Sequence, residues 1–255
     1  MKYIISSVLL LVTLNIYGQQ TISKWIPASG KWVLTDTTIC QEDLSSKQAR
    51  IDIRLPEKEV IKFSFTVEYI KGGYRNKDDL KNKKIHAGFG VHIGVQNPNL
   101  KKSSWGNGKS YLLWLNIDTT DWTEKNRKEY IGLRAQIYRS SSAHIMRLLR
   151  DTRIKNNNEL DRMTPGDYIS IDLVSAIQKL SNRFLPITKI TEYAIQRGLF
   201  ISIQFNKKTG KVSIADPTNP SMKFITYLDP AYLQGNYFSL RTNSIAVSFK
   251  DFKVQ

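Results

Sequence analysis

The chain has 255 residues, of which 41% are hydrophobic, and its 38 Lys and Arg against 22 Asp and Glu give a formal net charge of +16. The single cysteine, Cys40, excludes an internal disulfide, so stability must come from the core and from sheet hydrogen bonds. The positive excess favours anionic partners such as acidic polysaccharide, the phosphates of an envelope surface or an acidic protein lattice.

The N-terminus has the pattern of an export signal. Lys2 precedes an apolar run over residues 4–14 and the small residue Gly18, which predicts a cleavable signal peptide over residues 1–18. The run is shorter than the roughly 20 residues that span a bilayer, although an N-terminal membrane anchor is the alternative. We therefore expect a periplasmic or secreted protein without a membrane span, and export argues against nucleic acid as a partner. Residues 19–255 have the length of one all-β domain.

The first half of this domain alternates like a series of strands. Residues 21–40 form an entry strand with its turn, and residues 49–55 and 61–69 each place apolar side chains at every second position. Residues 71–84 break the alternation and are strongly polar. Their lysines Lys81, Lys83 and Lys84 predict a basic contact loop for an acidic partner, or alternatively a solvated hairpin tip.

Three further strands, over residues 85–95, 110–118 and 130–139, have one wholly apolar face each. Their other faces combine glycines with polar and aromatic side chains. Because strand side chains alternate with a period of two, the non-core set lies on one sheet face. The members of this set that we predict to bind a ligand are His92, Trp114, Asn116, Arg134, Gln136 and Tyr138.

The second half continues with strands and one interruption. Residues 144–149 and 167–173 read as strands, whereas apolar residues near 172–197 recur at helical spacing around Pro186 and predict one or two short helices. Residues 199–205 and 212–214 flank an Asn-Lys-Lys-Thr-Gly turn and predict a hairpin, followed by a strand over residues 224–228.

The last twenty residues, 235–254, predict a terminal antiparallel hairpin with a turn at Thr242-Asn243-Ser244. This segment resembles the closing strands of the concanavalin A-like lectin/glucanase jelly roll, which includes laminin-G-like domains. The resemblance implies an all-β, two-sheet antiparallel jelly-roll sandwich whose last strand lies beside the N-terminal residues 25–34. It does not imply a reaction, because this fold hosts lectins, glycosidases, lyases and structural modules.

We predict no catalytic residues. The glycosidases of this fold carry a Glu-x-Asp-x-Glu strand, and here the three strands offer one carboxylate, Asp118. A polysaccharide lyase acting on an anionic glycan is an alternative, in which Arg134 and Gln136 would neutralise the substrate carboxylate and His92 and Tyr138 would serve as base and acid. The arginine-rich entry motif and Gln-Ile-His strand of such lyases are not reproduced.

Binding without catalysis requires only aromatic rings, amides and closely approachable glycines on a sheet face. The alternative for the same residues is a second small core beneath a loop, because Trp and Tyr are often packed. The three histidines lack metal-ligand spacing, so we predict no metal and no cofactor.

The sequence thus predicts an exported, non-catalytic domain that recognises a glycan or another envelope component through its exposed sheet face and basic loops. The competing interpretation is a structural component of an envelope or appendage assembly, a protein lattice such as the sheath of a periplasmic flagellar filament. The residues do not decide between a sugar and a protein lattice.

Overall fold

The computed structural model of the chain describes residues 24–46, 48–72, 87–98, 105–118, 132–151, 197–215 and 223–255. In these residues the chain forms fourteen strands in two antiparallel sheets of seven, together with one 3-10 turn at Pro230–Tyr232. The predicted all-β, two-sheet antiparallel sandwich is confirmed. The predicted helical insertion lies, except for its last residue, outside the described residues. None of the described segments is a helix with the length and apolar character needed to cross a membrane.

Each sheet combines strands from both halves of the chain, which crosses repeatedly from one sheet to the other. Sheet A has the spatial order β1 (Ile26–Ser29), β4 (Ala49–Arg54), β13 (Tyr237–Asn243), β6 (Gly88–Val95), β7 (Ser110–Asp118), β8 (Gly132–Ser140) and β9 (Met146–Asp151). Sheet B has the order β12 (Lys223–Tyr227), β11 (Lys211–Ala215), β10 (Leu199–Asn206), β5 (Val60–Gly72), β14 (Ile245–Val254), β3 (Thr38–Gln41) and β2 (Trp32–Leu34). The predicted hairpin formed by β10 and β11 is present, and β6, β7 and β8 are neighbours.

The terminal segment is not the hairpin that its alternation suggested. Strands β13 and β14 belong to different sheets, and the chain crosses between them at Ser244, which has a positive φ of 54°. The two strands therefore present their apolar side chains to the same core from opposite sides. This arrangement gives the same alternation of apolar residues in the sequence as a hairpin does. Strand β14 pairs with β3 and β5 rather than with residues 25–34. Of the expected N-terminal neighbours, β2 lies one strand away from β14, beyond β3, whereas β1 belongs to sheet A.

The main core lies between the sheets and is rich in aromatic rings. Phe63 of β5 and Phe238 of β13 meet with ring centroids 4.4 Å apart, and Trp25 packs edge-on against Phe252 at 4.8 Å. Every second residue of β5 from Ile61 to Val67 is buried, because the pleat of a strand sends alternate side chains to one face. The core positions that alternation predicted are therefore the observed ones in these strands.

The outer face of sheet A, which faces away from this core, carries four of the six predicted binding residues in two rows across the sheet. In one row, His92 pairs with Leu112, and Leu112 pairs with Tyr138. In the next row, Gly90 pairs with Trp114, and Trp114 pairs with Gln136. The period-two assignment of these residues to one face is correct.

Candidate functional site

The outer face of sheet A is covered, so it is not the exposed face that we predicted. His92 is 0% exposed, Trp114 2% and Gln136 4%, whereas Tyr138 is half-buried. The cover is the connection between β6 and β7, whose residues from Trp105 onward fold back over the sheet. The alternative that we considered, a second small core beneath a loop, agrees with the burial of Trp114 and Gln136, and His92 is buried beside them.

The remaining predicted residues are only partly placed. The backbones of Asn116 and Arg134 pair across β7 and β8, and their side chains lie outside the described part of the structure. The basic contact loop with Lys81, Lys83 and Lys84 also lies outside the described residues, so its role stays a prediction.

A buried polar network beside Trp114 holds the covering connection on sheet A. Two arginines from neighbouring strands, Arg50 and Arg241, are 0% and 1% exposed and lie directly across from each other. Arg50 donates to Asn107 Oδ1 at 3.2 Å and to the carbonyl oxygen of Pro98. Arg241 donates from Nη1 to the carbonyl oxygen of Trp105 at 2.7 Å. The two guanidinium groups therefore fix the connection at three points.

Among the described residues, one buried carboxylate opposes the charge of the two arginines. Asp52 Oδ2 lies 3.3 Å from Arg50 Nε, and its side chain is 5% exposed. Burial raises the pKa of Asp52, and the nearby charge of Arg50 counteracts this effect. Burial also lowers the pKa of Arg241 to about 9, so this guanidinium stays protonated at neutral pH.

His92 is a structural member of the network. Its Nε2 lies 3.1 Å from Arg241 Nη1 and must accept, because a guanidinium only donates. The ring proton of the neutral imidazole is then on Nδ1, which donates to Ser110 Oγ at 3.1 Å. Burial first, and then the charges of Arg241 and Arg50, hold the pKa of His92 well below its usual value. His92 cannot reach a polysaccharide, so the structure removes it as the base of the lyase alternative.

A pocket opens beside this network, at the β7–β9 side of the covering connection. Its volume is about 320 Å³, within the size range of small-ligand sites. Trp105 and Trp114 meet there edge to face with ring centroids 5.2 Å apart. The lining residues are Trp105, Leu112, Trp114, Tyr138, His144 and Met146. Two of our predicted residues, Trp114 and Tyr138, are thus brought together, whereas His92 and Gln136 are not among the residues that line it.

Two glycines allow the pocket walls to approach the sheet. A Cβ on Gly90 would lie 2.8 Å from Trp114 Cε3, so the indole can lie on the sheet only above a glycine. A Cβ on Gly106 would meet the backbone of Ser142 and Ala143, and Gly106 N donates to the Ala143 carbonyl oxygen at 3.1 Å. These contacts hold the turn before β9, and with it His144, close to Trp105.

Sequence reasoning missed most of the network. Arg50, Asp52 and Arg241 alternate with apolar residues in their strands, which places them on the outer face but gives no sign that a connection covers them. Trp105 is recognisable only as an aromatic residue in a loop beside glycines. Within the described ranges, no group of three or more His, Cys, Asp or Glu side chains could hold a metal ion.

Comparisons with known proteins support the architecture. No protein-family model matches the chain, and no curated protein matches it. The chain is similar to the VIP36 exoplasmic/lumenal domain in its Ca²⁺/Man-bound form, with a TM-score of 0.50, 11% identity, and coverage of 91% of this chain and 82% of that one. The Ca²⁺-bound form of the same domain also gives a TM-score of 0.50, at 11% identity, covering 93% and 85%.

A legume lectin-like domain from Entamoeba histolytica is similar with a TM-score of 0.49 and 8% identity, covering 92% of this chain and 90% of that one. Identities this low establish the fold alone. The chain thus shares with the VIP36 domain the fold of a two-sheet antiparallel jelly-roll sandwich.

Proposed function

We propose that this protein is an exported, non-catalytic domain that binds a glycan in the pocket between Trp105 and Tyr138. The observation that carries the proposal is the pocket itself, in which two indoles, a phenol ring and Met146 border about 320 Å³. Aromatic side chains offer an apolar face for the C–H face of a sugar ring and, in Trp and Tyr, a polar group at the edge. His144, which is exposed, adds a hydrogen-bonding group at the pocket.

The fixed geometry of the pocket wall also favours binding. Trp105 is held through its carbonyl oxygen by Arg241, and Gly106 and Asn107 are held by the Ala143 carbonyl oxygen and by Ser140 Oγ at 2.9 Å. A wall fixed before the ligand arrives lowers the entropy cost of ordering it. The VIP36 domain, which shares the fold, is known in a mannose-bound form, so glycan binding is compatible with this architecture.

The absence of catalysis is part of the proposal. The predicted base His92 is buried and neutral, and the six pocket residues include no carboxylate, which a glycosidase would require in pairs. Export is proposed from residues 1–18 alone. A structural role in an envelope or appendage assembly is the outcome that the following experiment would favour if no sugar binds.

To test the proposal, the purified protein is titrated with neutral and acidic oligosaccharides. Calorimetry and tryptophan fluorescence measure the binding. Trp105→Ala removes a half-buried ring from the pocket, and we expect affinity to fall about tenfold or more, as for aromatic anchors elsewhere. Tyr227→Ala is the matched control, because Tyr227 is 67% exposed on sheet B and should leave affinity unchanged. Failure of every oligosaccharide to bind, or equal binding by Trp105→Ala, would refute the proposal.

A further inference from the structure

The described residues of the network behind the pocket wall carry more positive than negative charge. Arg50 and Arg241 contribute two guanidinium groups and Asp52 one carboxylate, and all three are at most 3% exposed. His92 contributes no charge because its pKa is held well below neutral pH by burial and by the two arginines. The network is therefore cationic at neutral pH, since a guanidinium keeps its proton even when its pKa falls to about 9.

This charge lies directly behind one wall of the pocket. The guanidinium carbon of Arg241 is 5.9 Å from the centre of the Trp105 ring, and Arg241 Nη1 donates to the Trp105 carbonyl oxygen at 2.7 Å. Trp105 also lines the pocket. One indole thus separates a buried cation from a bound ligand. A buried charge is screened by salt much less than an exposed one.

Among the described residues that line the pocket, none carries a charge that opposes the network. The six lining residues include no acid, and the chain as a whole is at +16. At an effective dielectric constant of about 20, an anion roughly 8–10 Å from a buried cation gains enough free energy for about a tenfold increase in affinity.

We propose that the pocket selects an anionic sugar, one that bears a carboxylate or a sulfate, and that Arg241 sets this preference through Trp105. The inference rests on the proposed function, since it concerns the ligand of the same pocket. Arg241 is a positioning and specificity residue here, because the indole of Trp105 stands between it and the ligand.

The first test uses the unaltered protein and ligands matched in shape. An oligoglucuronate is compared with its methyl ester, and a sulfated galactan oligosaccharide with its unsulfated form. The first pair tests a carboxylate as the anionic group, and the second pair tests a sulfate. We expect at least one charged form to bind about tenfold more tightly than its neutral counterpart. Equal affinity within both pairs would overturn the inference but leave the proposed function standing, whereas no binding by any of the four ligands would refute both.

The second test assigns the preference to Arg241. The readout is the ratio of the two dissociation constants within a pair, because a loosened pocket weakens both ligands alike and only a change of charge alters their ratio. Arg241→Lys, which keeps the charge, should preserve the ratio, and Arg241→Met should lower it to about threefold or less. Arg50→Met offers a second way to remove one charge from the network if Arg241→Met does not fold.

The control removes a cation far from the pocket. Lys250 of β14 lies on the outer face of sheet B with a 40% exposed side chain, and Lys250→Met lowers the total charge by the same amount. The ratio of the two dissociation constants within a ligand pair should be the same for Lys250→Met as for the unaltered protein. If Lys250→Met changes the ratio as much as Arg241→Met does, the preference comes from total charge and the assignment to Arg241 is wrong.

Discussion

The outer faces of the two sheets differ in character although the same alternation builds both. On sheet A, His92 and Arg241 point away from the main core and are nevertheless 0% and 1% exposed. On sheet B, Lys62 and Phe200 also point away from the core and are exposed. Alternation therefore decides which side chains leave the core. Whether they then meet water or a second buried layer depends on a connection elsewhere in the chain, here the one that includes Trp105 and Asn107.

From this comparison we expect the largest loss of stability when a buried charge is removed from the outer face of sheet A. Arg241→Met would leave His92 Nε2 and the Trp105 carbonyl oxygen without their shared donor and would leave Asp52 less compensated. We expect the free energy of unfolding to fall by about 3–5 kcal/mol, the usual cost of breaking a buried ionic network. Urea denaturation measures the change.

The matched substitution on sheet B sharpens the contrast. Lys250 forms an ion pair with Glu68, and both side chains are at least one-third exposed. Lys250→Met should therefore cost no more than about 1 kcal/mol. Similar losses for the two variants would mean that the outer face of sheet A is not a buried layer in solution.

An intermediate effect is expected where sheet A accommodates Trp114. Gly90→Ala places a Cβ 2.8 Å from Trp114 Cε3 and against the backbone of β7, so the indole and the strand must shift. Overpacking of this kind costs about 1–3 kcal/mol, and displacement of Trp114 should also weaken ligand binding. Ser64→Ala, on the outer face of sheet B, is the control and should change stability by less than about 0.5 kcal/mol. Unchanged stability of Gly90→Ala would contradict the close contact.

The effect of pH on a single buried group is smaller than the loss expected for Arg241→Met. Because the pKa of His92 is held well below its usual value of 6.5 in the folded protein, the unfolded chain binds a proton in a range where the folded chain does not. The free energy of unfolding should thus fall as the pH drops below 6.5, by up to about 1.4 kcal/mol per pH unit for this one group. The contribution of His92 to the free energy of unfolding is fully present above pH 6.5. It declines as the pH falls from 6.5 to the pKa of His92 in the folded protein.

Substitution isolates this contribution from that of the carboxylates. His92→Gln should show a shallower loss of stability between about pH 6.5 and pH 5 than the unaltered protein, measured by denaturant unfolding at each pH. Ser64→Ala, on the outer face of sheet B, alters no titratable group, so it is the control and should keep the original slope. An identical slope in His92→Gln and the unaltered protein would show that His92 is not buried as a neutral ring.

Part of the candidate site could be predicted from the sequence. The strands carrying Trp114 and Tyr138 and the face on which both lie follow from period-two alternation, and the structure brings these two residues to one pocket. Trp105, His144 and Met146 could not be assigned to it, because they reach the pocket only through the turns that precede β7 and β9. The prediction of a terminal hairpin was wrong for a related reason. Two strands show the same alternation of apolar residues whether they pair in one sheet or face each other across a core.

The sequence by itself determined the class of fold, the residues of the main core and the sign of the charge, since each depends on local alternation or on composition. Only the tertiary structure decided that Arg50, Asp52, His92 and Arg241 form one buried network and that Trp105 closes a pocket beside it. The physical reason is that burial of a polar side chain depends on contacts between segments far apart in the chain. Arg241, for example, donates to a carbonyl oxygen 136 residues away in the chain, and a local sequence pattern does not predict such a contact.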